Sequence, residues 1–141
     1  MYYLKTEGTF DSAHFLKDYD GKCSNLHGHC WRVVVKAGCR ELVKDGQERG
    51  MVMDFAVLKK HLRSLCDEYD HCLIYESGSL MEETILAFEK EHFRVKEVDF
   101  RPTAENFARY FYYRLKEENI NVCEVAVYET AANCAIYEEE K

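Results

Sequence analysis

At 141 residues the chain has the size of one domain that buries roughly two thirds of its unfolded surface, and a composition of 47% hydrophobic and 13% aromatic residues excludes an intrinsically disordered segment. A formal net charge of -7 opposes partnership with nucleic acid or an anionic membrane surface, since both reward clustered Lys and Arg. No apolar run approaches the ~18 residues of a membrane-spanning helix, the start MYYLKTEGTF lacks the features of a signal peptide, and seven cysteines without a C-x-x-C pair read as reduced thiols of a cytoplasmic protein.

In chain order, residues 2–10 and 29–38 are predicted as strands, rich in aromatic and β-branched types, with Trp31, Val33, Val35 and Ala37 alternating on one face. From Phe55 to Tyr69 the apolar residues Phe55, Leu58, Leu62, Leu65, Cys66 and Tyr69 recur at helical spacing, with Asp54 placed to cap the start. Residues 79–98 suggest a short helix and a strand. Another helix follows Pro102, with Thr103 as N-cap, Phe107, Tyr110, Phe111 and Leu115 on one stripe, and an end near Asn119. Two strands close the chain, about 122–129 and 134–138, with Cys123, Val125 and Val127 on one face. The order predicts a single α+β domain over 1–141, built as a four-stranded antiparallel sheet with helices on one face. Such one-sided cover leaves a sheet face and edges that self-association would hide.

The chemistry concentrates in a few residues. His27 and His29 flank Gly28 at the entry to a strand, where extended backbone sends both imidazoles to one face, ~6.6 Å apart along the chain and able to converge on one metal ion. His14, in FDSAH, is in phase with Phe10 and Ser12 if the first strand continues, and so can join them. Three His leave a coordination position open, as catalytic zinc sites do; the competing reading is three ordinary core or surface histidines. Cys23, four residues before His27, either closes the site as a fourth ligand or stands off as an acid/base group. Asp70 and His71 end the first helix as a pair that either orients an imidazole or serves the helix dipole. Glu129 is in phase with Val125 and Val127, and a carboxylate on a buried face needs a partner; the guanidine-like edge of a pterin would suit it in bidentate fashion, unless the group is solvated at the strand's end. Glu105, in a first helical turn, is explained equally by the helix dipole.

Taken together, FDSAHFL at 10–16, CSNLHGHCW at 23–31, GMVMDF at 50–55, DH at 70–71, PTAEN at 102–106 and VYET at 127–130 resemble the 6-pyruvoyltetrahydropterin synthase family in its own order and over most of the chain. The three-residue gap between Cys23 and His27 is similar to the family's queuosine branch, the 6-carboxytetrahydropterin synthases. The resemblance implies the tunnelling fold, trimers stacked into a homohexamer, and Zn2+ on His14, His27 and His29. It implies Cys23 as proton acceptor, Asp70 and His71 as relay partners from an adjacent subunit, Glu129 as pterin anchor, and Thr103 and Glu105 as pocket residues. The implied reaction is a lyase step on a pterin triphosphate, 7,8-dihydroneopterin triphosphate, giving 6-carboxy-5,6,7,8-tetrahydropterin, acetaldehyde and triphosphate. A 6-pyruvoyl product and a noncatalytic zinc- or pterin-binding role are the rivals. The chain departs from the family in DHCLIYE after residue 69 and in a long stretch from Ser77 to Val98.

Overall fold

The computed structural model describes residues 1–140. Strands β1 (Tyr2–His14) and β2 (His27–Cys39) form a long antiparallel hairpin whose register runs from Tyr2 opposite Cys39 to His14 opposite His27. Both strands extend further toward the connecting loop than their apolar composition predicts, so that His14 and His27 join His29 as strand residues. Helix α1 (Phe55–Tyr69), strand β3 (Cys72–Glu76), helix α2 (Glu82–Lys90), strand β4 (Val95–Val98), helix α3 (Ala104–Glu117) and strands β5 (Val122–Tyr128) and β6 (Cys134–Tyr137) follow.

The sheet has six strands in the order β4-β3-β1-β2-β5-β6, in place of the expected four. It is mixed: β3 pairs in parallel with the end of β1 and with β4, while the remaining pairs are antiparallel. Parallel neighbours need a crossover, and α2 supplies it between β3 and β4. The expectation of helices on one face also fails at this edge. Phe10, Cys72, Ile74 and Val98 point into the main core with α1 and α3, whereas Phe15, Leu73 and Tyr75 point the other way and pack with Ile85 and Phe88 of α2.

Alternation sets the main core. Trp31, Val33, Val35 and Ala37 are at most 1% exposed, and Phe10 stacks on Trp31 with ring centroids 5.8 Å apart. Onto this floor α1 sets Leu58, Leu62 and Leu65, and α3 sets Phe107, Phe111 and Leu115. The caps are those read from the sequence: Asp54 accepts from the Ala56 amide at 2.8 Å and Thr103 from the Asn106 amide at 3.3 Å. Two face predictions change: Phe55, expected on the α1 stripe, is half-exposed at the helix start, and the alternation along β5 shifts. Lys36 pairs with Glu124 but Ala37 pairs with Val122, and this bulge turns Val122 into the core and leaves Cys123 half-exposed.

Candidate functional site

The hairpin register places His14 directly across from His27, and His29 stands two residues along β2 on the same face. Ring centroids are 4.5 Å apart for His14 and His27, 5.1 Å for His14 and His29, and 5.0 Å for His27 and His29. One nitrogen from each lies within 4.8 Å of the others. Trp31 closes the floor, edge-on to His14 and His29. Gly28 admits this closeness, because a Cβ there would meet the Ser12 carbonyl oxygen at 3.2 Å.

Two backbone carbonyls fix the rings. His14 Nδ1 donates to Pro102 O at 2.8 Å, and His27 Nδ1 donates to Asn25 O at 2.7 Å. Each bond puts the proton on Nδ1 and leaves the Nε2 lone pair facing its neighbours. Both Nε2 atoms are buried without a partner in the protein, which is costly unless a ligand meets them. Burial drives the His14 pKa down to about 4, against the Pro102 hydrogen bond, with His27 and His29 adding to the fall. His29 is lowered by burial too, opposed by the nearby Glu129 carboxylate. Three convergent imidazoles, two of them with buried Nε2 lone pairs left free by their Nδ1 bonds, fit a divalent ion of the zinc type.

Cys23 lies in a short 3-10 turn, Lys22–Ser24, whose carbonyl at Cys23 accepts from the Leu16 amide at 2.8 Å. This bond ties the loop back to the end of β1 beside His14. The thiol is half-buried and does not belong to the 4.8 Å nitrogen set, so the geometry gives no support to a fourth ligand. Glu129 follows β5 directly, half-buried, with its amide donating to Asn133 O at 3.2 Å; the strand ends before it, and the carboxylate is therefore only partly withdrawn from water. Thr103 spends its hydroxyl on the α3 cap, and Glu105 is exposed in the first turn. Both follow Pro102, whose carbonyl holds His14.

The Asp70–His71 pair is elsewhere. Asp70 Oδ1 accepts from the Asp11 amide and Oδ2 from His71 Nδ1, both at 2.8 Å. The carboxyl groups of Asp11 and Asp70 and the His71 ring converge within 4.8 Å. The Asp11 amide, then His71, hold the Asp70 carboxyl below the usual carboxylate range. Asp11 alternates with Phe10 and Ser12 along β1, so this cluster occupies the sheet face opposite the three histidines. Within one chain the two groups are not brought together.

Several partners carry no signature in the sequence. Asn25 and Pro102 act through backbone carbonyls, which every residue has. Ser12, the register neighbour of His29, buries an unpartnered hydroxyl on the histidine face, and its only signal is its phase with Phe10 and His14. Arg94 reaches the turn at Asp70 from a segment read only as a helix and a strand.

Comparison with known proteins extends over the same ground. A protein of Haemophilus influenzae named 6-carboxy-5,6,7,8-tetrahydropterin synthase is 35% identical over 99% of this chain and 100% of its own length. One of the same name from Synechocystis is 34% identical over 97% of this chain and 93% of its own. The solved structure of Plasmodium falciparum 6-pyruvoyl tetrahydropterin synthase superposes with a TM-score of 0.69 at 19% identity, covering 98% of this chain and 97% of that one, a likeness of fold. With the 6-pyruvoyl tetrahydropterin synthase family model matching residues 3–140, the chain belongs to that family.

Proposed function

We propose that the protein is a cytoplasmic zinc-dependent lyase that converts 7,8-dihydroneopterin triphosphate to 6-carboxy-5,6,7,8-tetrahydropterin, acetaldehyde and triphosphate in queuosine biosynthesis, working as a homohexamer of one-domain subunits. The observation that carries the reading is the trio of imidazoles with two buried, unpartnered Nε2 atoms, in a chain whose relatives bear that enzyme's name over nearly their whole length.

His14, His27 and His29 hold the ion, which when bound supplies Lewis acidity toward substrate oxygens. Cys23, on a loop tied beside His14, takes a proton from the substrate side chain. Asp70 keeps the His71 proton on Nδ1, so that Nε2 is the atom that accepts or returns a proton, and the carboxylate stabilises the ring when it is charged. Glu129 faces the two adjacent N–H groups of the pterin ring edge and fixes its orientation by paired hydrogen bonds. Thr103 and Glu105 border the approach at the start of α3. Asp70 and His71 serve a neighbouring subunit's histidines, because their own lie across the sheet.

Purified zinc-loaded protein given dihydroneopterin triphosphate should release trapped acetaldehyde in proportion to substrate consumed. Accumulation of 6-pyruvoyltetrahydropterin without acetaldehyde would move the protein to its family's other branch. Substrate that binds but does not turn over would make it a pterin-binding protein.

A further inference from the structure

The peptide unit that joins Asp70 to His71 is held at both ends. Its N–H donates to Asp11 O at 2.6 Å, and its C=O accepts from Arg94 Nη1 at 2.6 Å. His71 itself has a φ of 51°, a left-handed conformation that costs a residue with a Cβ about 1 kcal/mol. Glycine would relieve that cost and would remove the imidazole. Holding a histidine in this conformation therefore requires surrounding bonds that over-determine it.

Arg94 supplies the larger share of those bonds. Helix α1 has no basic residue in its last turn, so its terminal carbonyls, the negative end of the helix dipole, take their cation from outside. Arg94 Nη2 donates to Glu68 O at 2.7 Å, and both terminal nitrogens reach Asp67 O at 3.3 Å. One planar guanidinium thus spans the carbonyls of Asp67, Glu68 and Asp70, which a lysine ammonium has no geometry to do. The Arg94 backbone is placed in turn: its carbonyl accepts from the Leu73 amide at 3.1 Å, and β4 begins at the next residue, paired with β3 from Leu73 and Val95 onward. Arg94 and His71 line one shallow cavity with Phe88, Phe93 and Val95.

We propose that Arg94 is a positioning residue for the Asp70–His71 dyad, and that the long stretch Ser77–Val98 serves the site by delivering this guanidinium to the α1–β3 turn. The proposal rests on the reading of His71 as a proton-transfer group. It gives a task to a segment that no other part of the mechanism uses. The Arg94 charge also adds to what keeps Asp70 ionised, after the Asp11 amide and His71.

The test is a double-mutant cycle on zinc-loaded protein with Arg94→Ala, His71→Ala and the two combined, using Arg94→Lys to carry the same cycle if the alanine variant does not assemble. Arg94→Ala should lower kcat on the order of tenfold by misplacing the ring, leave KM within about twofold, and cost nothing further once His71 is alanine. Arg94→Lys should recover only part of the loss. Unchanged kcat in Arg94→Ala overturns the proposal, as does an equal loss in both backgrounds, which would make Arg94 a general brace of the fold. Unchanged kcat in His71→Ala is the separate result that sinks the dyad reading, and the proposal with it. Hydrogen exchange of residues 67–73, measured without metal or substrate, should quicken in Arg94→Ala and Arg94→Lys while α3 stays protected. Unaltered exchange there also overturns the proposal.

Discussion

His14 shows how burial can prepare an imidazole to serve as a metal ligand. Burial opposes its charged form more strongly than the Pro102 carbonyl favours it, and a pKa near 4 keeps the ring neutral far below the ordinary histidine value of about 6.5. A depressed folded pKa means that the neutral ring is uncharged throughout the window between about 4 and 6.5, where an unfolded histidine would already hold a proton. A zinc ion at the proposed site would therefore meet no competing proton at His14 until the pH approaches the lower limit. The expected outcome is about one zinc per subunit at neutral pH, lost in His27→Ala or His29→Ala and retained in Cys23→Ala, which loses activity alone. Metal analysis of the three variants decides it: full zinc in both histidine variants would refute the assignment, and zinc loss in Cys23→Ala would make the thiol a ligand. The histidines are legible because strand spacing alone puts 27 and 29 on one face, and the phase of Phe10 and Ser12 along β1 carries on to 14. The carbonyls of Asn25 and Pro102 that aim them are not, since a backbone acceptor leaves no mark on residue type.

Among the elements, α1 is legible because its cap, its length and its stripe from Leu58 to Tyr69 agree, although Phe55, expected on the same stripe, is 51% exposed. Strand β3 was missed for the opposite reason. CLIYE is a short apolar run directly after Asp70 and His71, and its partners are parallel strands at a distance in sequence, so nothing local distinguishes it from a loop entering a core. Its addition to β1 builds the turn that holds His71. The bulge that exchanges Val122 for Cys123 was hidden as well, because strict alternation is the only rule the sequence offers a strand. Helix α3 carries the most concentrated packing: Phe107 touches Phe10, Trp31, Tyr69 and Phe111 within 6.0 Å between centroids. Phe107→Ala should cost about 3 to 5 kcal/mol of unfolding free energy, read as a lowered urea midpoint. Because Phe107 also supports Trp31 beneath the histidines, zinc affinity should fall in the same variant. A loss below about 1 kcal/mol would mean that the aromatic cluster refills the space.

For the whole molecule, the sheet is unfinished on its own. Strand β1 pairs with β3 only at Ser12 and Ala13, so from Tyr2 to about Phe10 its outer edge has no strand partner among the described residues, and β6 ends the other side as a four-residue edge. The face away from α1 and α3 carries polar side chains such as Lys5, Glu7 and Arg32, the last two bonded at 2.8 Å. Long open edges are liabilities that symmetric association removes. The proposed site is divided in the same way, with the Asp70–His71 pair and the three histidines on opposite faces of one sheet. If neighbouring subunits complete each other, two impaired variants should rescue one another. His29→Ala lacks a working metal site but presents a sound dyad, and His71→Ala has the reverse. Dissociated, mixed in equal amounts and reassembled with zinc, they should regain about a quarter of wild-type activity, since half of the metal sites are sound and half of those meet a sound neighbouring dyad in a closed symmetric ring. Alone, His29→Ala should be inactive and His71→Ala should show only its low residual rate, well below the mixture, and light scattering should show the mixture at the mass of the wild-type assembly. No recovery in an assembled mixture would place the whole site within one chain and leave the open β1 edge without its functional reason.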